Sequence, residues 1–190
     1  MQPHQIGFQV DLDRCVGCRA CELACQHQHP ESLAGFRHVE RLHASVRVQG
    51  LLSLACNHCA APECMRVCPE HCYDKLRNGI VRHHSESCVG CGRCVGACPF
   101  GAPRLNPRTQ KAEKCDFCED RLTRGQLPAC VEACPVGALQ LIELGELTEA
   151  DKNLPDYPLI RYTQPSIRFV PARQPIRFLR KEAKSNDQQK

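Results

Sequence analysis

With 190 residues, seventeen cysteines, no tryptophan and only six Phe and three Tyr, the chain can form one domain or two small ones sharing a core. It cannot offset its folding entropy by apolar burial alone. Its 25 Lys and Arg against 21 Asp and Glu leave a formal charge of +4, and the basic residues are scattered rather than interleaved with aromatics, which argues against a nucleic-acid partner. No run reaches the length of a membrane span, and Met1 to Val10 has neither a charged n-region nor an apolar h-region, so no signal peptide is expected.

Ile6, Phe8, Val10 and Leu12 alternate with polar neighbours and predict a half-buried strand. Cys15, Cys18, Cys21 and Cys25 follow. The longer, more polar stretch 26–55 predicts a strand pair near Val46–Val48 and Leu51–Leu54. A second group, Cys56, Cys59, Cys64 and Cys68, precedes two short segments between Tyr73 and Arg82. Asn78-Gly79 separates those segments and marks a hairpin turn. The third group is Cys88, Cys91, Cys94 and Cys98, and the fourth is Cys115, Cys118, Cys130 and Cys134. Residues 119–124 read as a helical turn closed by Gly125. Leu139 and Leu141 predict a final short strand, and Leu147 to Asn153 one more helix. The cysteine-free, Pro- and Arg-rich stretch from Pro155 to Lys190 reads as an extended arm packing on a partner, with 182–190 disordered.

Sixteen of the cysteines thus form four groups of four, enough for four [4Fe–4S] clusters that each take four thiolates. In a C-x2-C-x2-C loop three sulfurs wrap one cluster, while the fourth cysteine, a helical turn further on, points to a second cluster. Disulfides fit poorly with an odd count and many pairs two residues apart. Zinc takes two well-separated pairs rather than three consecutive steps closed by x3-C-P. Proline follows the fourth cysteine at 69, 99 and 135 and stops the short helix there; in the first group Gln26 stands instead. Oxidised clusters at about −2 each would bring the loaded chain to about −4, so the basic surplus reads as compensation. Groups two and three, joined by the hairpin, pair most simply and leave one with four; spacing alone also allows three with four.

Gly17, Gly90 and Gly92 leave backbone N–H groups free to approach sulfur. Arg14, Arg19, Arg93, Lys111 and Lys114 flank the loops, either as potential-raising charges or as solvated surface cations. Cys72 is the cysteine left over and reads as a spare, buried thiol. The nine histidines, including His27, His29 and the His83-His84 pair, read as surface residues. No acid/base pair, nucleophile or phosphate-cradling loop stands out, so the chain is expected to have no catalytic site of its own.

The segments GFQVDLDRCVGCRACELAC, CNHCAAPECMRVCP, CVGCGRCVGACPFGAP and KCDFCEDRLTRGQLPACVEACPVGAL, with the later RYTQPSIRFVP, resemble the iron–sulfur subunit family of anaerobic dimethyl sulfoxide reductase and related molybdopterin oxidoreductases over residues 6 to 170. The resemblance implies an α+β fold of two intertwined bacterial-ferredoxin-like modules, each a 2[4Fe–4S] unit with short strands, short helices and long loops. Residues 1–55 and 99–154 would form the first module, 56–98 an inserted second, and 155–190 the tail. It further implies one cluster on Cys15, Cys18, Cys21 and Cys134, and a neighbour on Cys115, Cys118, Cys130 and Cys25. A third would sit on Cys56, Cys59, Cys64 and Cys98, and a fourth on Cys88, Cys91, Cys94 and Cys68.

The expected role is electron transfer between an integral membrane quinol-oxidising anchor subunit and a molybdopterin-containing catalytic subunit, peripheral on the cytoplasmic membrane. The alternatives are a free polyferredoxin carrier, the equivalent subunit of a formate dehydrogenase or of a polysulfide or tetrathionate reductase, and, from a different class, a structural zinc module.

Overall fold

The computed structural model describes residues 5–32, 35–41, 51–146 and 162–170. The alternating opening segment is strand β1 (Ile6–Asp11), which buries Phe8 and Val10 and exposes Gln9 in part. It is the middle strand of a three-stranded sheet. β8 (Leu139–Glu143) pairs with it antiparallel, Phe8 opposite Leu141, and β9 (Ile167–Val170) pairs with it parallel, Val10 opposite Phe169. Leu12, Leu139, Ile167 and Phe169 complete the face that packs on Phe117, Leu52 and Ile80.

Three further two-stranded sheets carry the loops. β2 (His38–Arg41) pairs with β3 (Leu51–Leu54), β4 (Tyr73–Lys75) with β5 (Val81–His83), and β6 (Arg104–Leu105) with β7 (Ala112–Glu113). The β4–β5 hairpin turns where Asn-Gly predicts. Gly79 takes φ +90° and Asn78 Oδ1 accepts from the Ile80 N–H at 3.2 Å. Its tip also holds the large sheet, because the Ile6 N–H donates to Asn78 O at 2.9 Å.

The helices are single short pieces set by the cysteine spacing. α2 (Glu63–Arg66), α3 (Arg93–Ala97) and α5 (Ala129–Glu132) each end before a Cys-Pro step, as expected from proline's missing N–H and fixed φ. α1 (Ala20–Gln28) lacks that proline, continues three residues past Cys25 and delivers His29 inwards. α4 (Glu119–Thr123) closes at Gly125, φ +71°. α1 packs against α5, and α2 against α3, so the helices of cysteine groups one and four meet, as do those of two and three.

Leu51–Leu54 is a strand, but its partner is His38–Arg41; Val46–Val48 lies outside the described residues, as does the helix expected at Leu147–Asn153. The strand at 139–143 is not the last, since β9 follows within the stretch read as an arm. There Ile167 and Phe169 are buried in the chain's own core, and Gln164 O and Thr163 O accept from the Ala60 and Ala61 N–H groups at 2.8 and 3.0 Å. An alternating I-R-F-V run beside an unpaired edge of β1 is better satisfied there than free. No helix among the described residues is long and apolar enough to cross a membrane.

Candidate metal centres

The four loops share one backbone device. The residue two after the first cysteine is left-handed in every group: Gly17 (φ +70°), His58 (+41°), Gly90 (+71°) and Phe117 (+66°). This turn folds the chain back so that N–H groups face sulfur. The Gly90 N–H donates to Cys88 Sγ and the Phe117 N–H to Cys115 Sγ, both at 3.4 Å. Further donors are Ala112 N–H to Cys88 Sγ at 3.5 Å, Phe36 N–H to Cys25 Sγ at 3.4 Å and Cys72 N–H to Cys68 Sγ at 3.4 Å. Such bonds stabilise a thiolate more than a thiol.

Glycine supplies the turn in groups one and three; in two and four a buried ring does. The His58 and Phe117 rings meet edge-on at 4.9 Å, and Phe117 stacks on Phe8 at 4.2 Å. That packing offsets the strain of a left-handed side-chain residue. The glycine pattern therefore identified two loops, and the equivalent positions in the other two carry no sequence signal.

None of the seventeen cysteines is in a disulfide. Cys56, Cys59, Cys64 and Cys98 line one pocket. Cys68, Cys88, Cys91 and Cys94 line another, together with Cys72. In each, one cysteine comes from the other loop of the pair. Around α1 and α5, Cys21 lies within electrostatic reach of Cys130 and Cys134, and Cys118 and Cys115 within reach of Cys25 and Cys130. Cys15 packs beside Cys21, Cys130 and Cys134 on the main core, while Cys18 and Cys91 are solvent-exposed. Burial, with the nearby Cys56 sulfur, pushes Cys59 and Cys64 up to about 12; burial pushes Cys118 to about 12 and Cys115 well above the usual thiol value. Left metal-free, these thiols stay protonated, and metal binding must displace the protons.

Arg37 tests whether an anionic group fits. It is 2% exposed, with Phe8 4.4 Å below its guanidinium. Nη1 donates to Ser53 O and Ser53 Oγ at 3.2 Å, but Nε and Nη2 are buried without an oxygen acceptor, the Cys130 sulfur facing them. Burial pulls its pKa down, and the sulfurs of Cys130, Cys115 and Cys21 outweigh that effect, so the net direction is up. A buried cation is costly unless paired, and thiolates holding a cluster on either side would supply the missing charge. The site fits an anionic iron–sulfur group.

The sequence reading did not find Arg37. Of the cations it singled out, Arg14 and Arg19 lie at the surface beside Asp11 (3.6 Å) and Glu22 (3.7 Å), and Lys111 reaches Glu86 O at 3.3 Å. Lys114 alone is buried, donating to Val81 O and to Cys115 O at 2.8 Å. Lys75, whose Nζ donates to Cys59 O at 2.8 Å, joins it at the second loop. The reading of all histidines as surface residues is corrected at two positions. His58 is 1% exposed, accepting from the Val81 N–H at Nδ1 (3.1 Å), and burial holds it well below the usual imidazole range. His29 is buried with Nε2 3.4 Å from Asp116 and 3.9 Å from Cys118 Sγ. Both lie inside because the loop turn and the lengthened α1 carry them there; His27 remains exposed.

Residues 48–144 match the 4Fe-4S dicluster domain family and residues 8–28 the 4Fe-4S binding domain family. The chain is 36% identical to a chain of the anaerobic dimethyl sulfoxide reductase of Escherichia coli, covering 88% of this chain and 89% of that one. It is 40% identical to a subunit of the tetrathionate reductase of Salmonella typhimurium, over 71% of this chain and 56% of that one. It is also 37% identical to the formate dehydrogenase-O iron-sulfur subunit of Escherichia coli, over 71% and 52%.

Proposed function

The chain belongs to the family of iron–sulfur electron-transfer subunits that includes its anaerobic dimethyl sulfoxide reductase relative, and we propose that within such a complex it holds four [4Fe–4S] clusters as a linear relay. Site one is Cys15, Cys18, Cys21 and Cys134; site two is Cys115, Cys118, Cys130 and Cys25. Site three is Cys56, Cys59, Cys64 and Cys98; site four is Cys88, Cys91, Cys94 and Cys68. Two ferredoxin-like modules, each exchanging its fourth cysteine, are supported by the packing of α1 on α5 and of α2 on α3.

A single observation carries the relay: cysteines of successive sites lie within electrostatic reach of one another, and the exposed cysteines fall in the two terminal sites. Cys21 and Cys130 link sites one and two, Cys115 and Cys56 link two and three, and Tyr73 senses Cys94, Cys64 and Cys68 across three and four. Cys18, rimmed by exposed Val16 and Leu23, opens site one to a partner; Cys91, with exposed Val89, opens site four. When bound, each cluster supplies a one-electron centre whose potential follows nearby charge, hydrogen bonds to sulfur and burial. The protein's part is to hold the sulfurs, donate N–H groups to them and keep water from the middle sites.

The partners in this reading are a molybdopterin-containing catalytic subunit at one end and a membrane quinol-oxidising anchor at the other, placing the chain on the cytoplasmic membrane. The dimethyl sulfoxide reductase-like assignment is favoured over the tetrathionate and formate ones because that alignment runs nearly the full length of both chains. Anaerobic purification of the full chain should yield about sixteen irons and four reducible paramagnetic centres, together with a large molybdenum-containing partner. Isolation as a free four-cluster protein would favour the polyferredoxin carrier instead, and far fewer irons without paramagnetic centres would end the relay reading.

A further inference from the structure

Site four is surrounded by five cysteines although a cubane takes four. The fifth, Cys72, is 1% exposed and lines the same cavity as Cys68, Cys88, Cys91 and Cys94. The chain leaves Cys68, turns through His71 in a left-handed conformation (φ +50°), and returns so that the Cys72 N–H donates to Cys68 Sγ at 3.4 Å. On its other side Cys72 Sγ, a ring nitrogen of His83 and Cys88 Sγ lie within 4.8 Å of one another. Two features point to metal rather than packing. His83 groups with the Cys72 and Cys88 sulfurs and keeps its Nε2 buried and unpartnered, and the Cys72 thiol has a 3.8 Å contact to Glu70 O and the Cys68 sulfur itself as its neighbours. The Tyr73 side chain lines this cavity too, its buried hydroxyl facing the Cys94 sulfur.

We propose that Cys72 is a reserve ligand of site four, exchangeable with Cys68. In the exchange Cys72 gives its thiol proton to Cys68 and takes over the iron bond that Cys68 leaves. One iron–thiolate bond breaks and one forms, the number of thiolates on the cluster is unchanged, and no electron moves. The two cysteines are joined by one tight turn and already face each other, so the swap requires a shift of residues 69–72 rather than repacking of α2 or α3. Its use is to keep a whole cubane when the half-buried Cys68 is lost to oxidation, at a site that Cys91 opens to solvent. The same chemistry is not available at the other three sites, which have four cysteines each.

This inference rests on the four-cluster reading, and the wild-type chain separates the two: fewer than about sixteen irons there sinks that reading, whatever Cys72 does. The test compares Cys68→Ala, Cys72→Ala and the double variant, each in the full chain and purified anaerobically, by iron content and by redox titration followed by paramagnetic resonance. Cys72→Ala should keep all four centres at wild-type potentials. Cys68→Ala should also keep about sixteen irons, with one centre shifted in potential and line shape and three unchanged. The double variant should lose that centre, falling to about fifteen irons as a three-iron cluster or about twelve with none. Cys68→Ser, which preserves volume and polarity, provides a second Cys68 variant if the alanine protein is insoluble. The inference is overturned if the single and double variants retain the same iron, or if both Cys68 variants fail to assemble site four.

Discussion

Arg37→Met removes a charge and keeps most of the side-chain volume, so its effect on the clusters is nearly a pure electrostatic reading. The guanidinium faces Cys21 of site one and Cys130 and Cys115 of site two, buried over the Phe8 ring and without a carboxylate partner among the described residues. A unit charge about 6 Å from a redox centre, at an effective dielectric near 20, is worth about 3 kcal/mol. For one electron that is about two decades, or roughly 120 mV. A cation favours the more negative, reduced state, so its removal lowers the potential. Relaxation and water entry reduce the effect, giving an expected fall of roughly 60–120 mV at two centres of the four. Arg37→Lys keeps the charge and should shift both by less than half as much. Redox titration of the anaerobic protein, followed by paramagnetic resonance, resolves the centres individually. Equal shifts at all four, or shifts below about 20 mV at every centre, would refute the placement of Arg37 between sites one and two; iron loss alone, without a shift in the surviving centres, would refute its electrostatic role.

Other outcomes follow from the same structure. Chelating the iron should abolish cooperative unfolding, because about sixteen metal–thiolate bonds replace the apolar core that nine aromatics cannot build; a chelated chain with an unchanged thermal transition would contradict this. Gly90→Ala places a Cβ 2.0 Å from Gln110 O at φ +71°, so it should displace the Cys88 loop and cost site four its iron, while Gly96→Ala, at an ordinary φ and with nothing within 4 Å, should keep full iron content. Phe117→Ala removes the ring between Phe8 and His58 and should destabilise the loaded protein by about 3–5 kcal/mol, as for other buried aromatics, read by denaturant titration; a loss below about 1 kcal/mol would mean that this stack does not support the turn. Truncation after residue 161 strips β9 from β1 and the carbonyl partners of Ala60 and Ala61 from the third site's loop, so it should lower iron content and solubility; a truncated chain with full iron would show that β9 only covers the sheet edge.

What the sequence conveyed was set by how local each device is. Cysteine spacing, the prolines at 69, 99 and 135 and the Asn78-Gly79 turn act within a few residues, and each corresponds to an observed loop, helix end or hairpin. The first group's missing proline was equally visible, but its consequence was not. Only in three dimensions does the extra turn of α1 carry His29 onto Cys118. Phe117 and His58 were illegible for a related reason: the left-handed turn is announced by glycine in two loops, while in these two it is sustained by contacts between residues 59 positions apart. β9 joins in parallel from far along the chain; its alternating I-R-F-V run is a short local sign of a strand, but nothing nearby names β1 as its partner.

Arg37 is the instructive miss. A lone arginine in a polar connection ordinarily stays in water, and only the presence of anionic sulfur on both sides makes its burial tolerable. Its position therefore carries information about charge that its sequence neighbourhood does not. The protein concentrates its inward cations on the first three sites, with buried Arg37 at sites one and two, and buried Lys114 with half-buried Lys75 at site three. Among the described residues, none of these three is found against Cys68, Cys88, Cys91 or Cys94, where a spare thiol and a tyrosine hydroxyl line the cavity instead. Positive charge raises potential and extra electron-rich sulfur does not, so site four should be the lowest of the four when the centres are titrated; finding it the highest would mean that solvent at Cys91, rather than buried charge, sets the order.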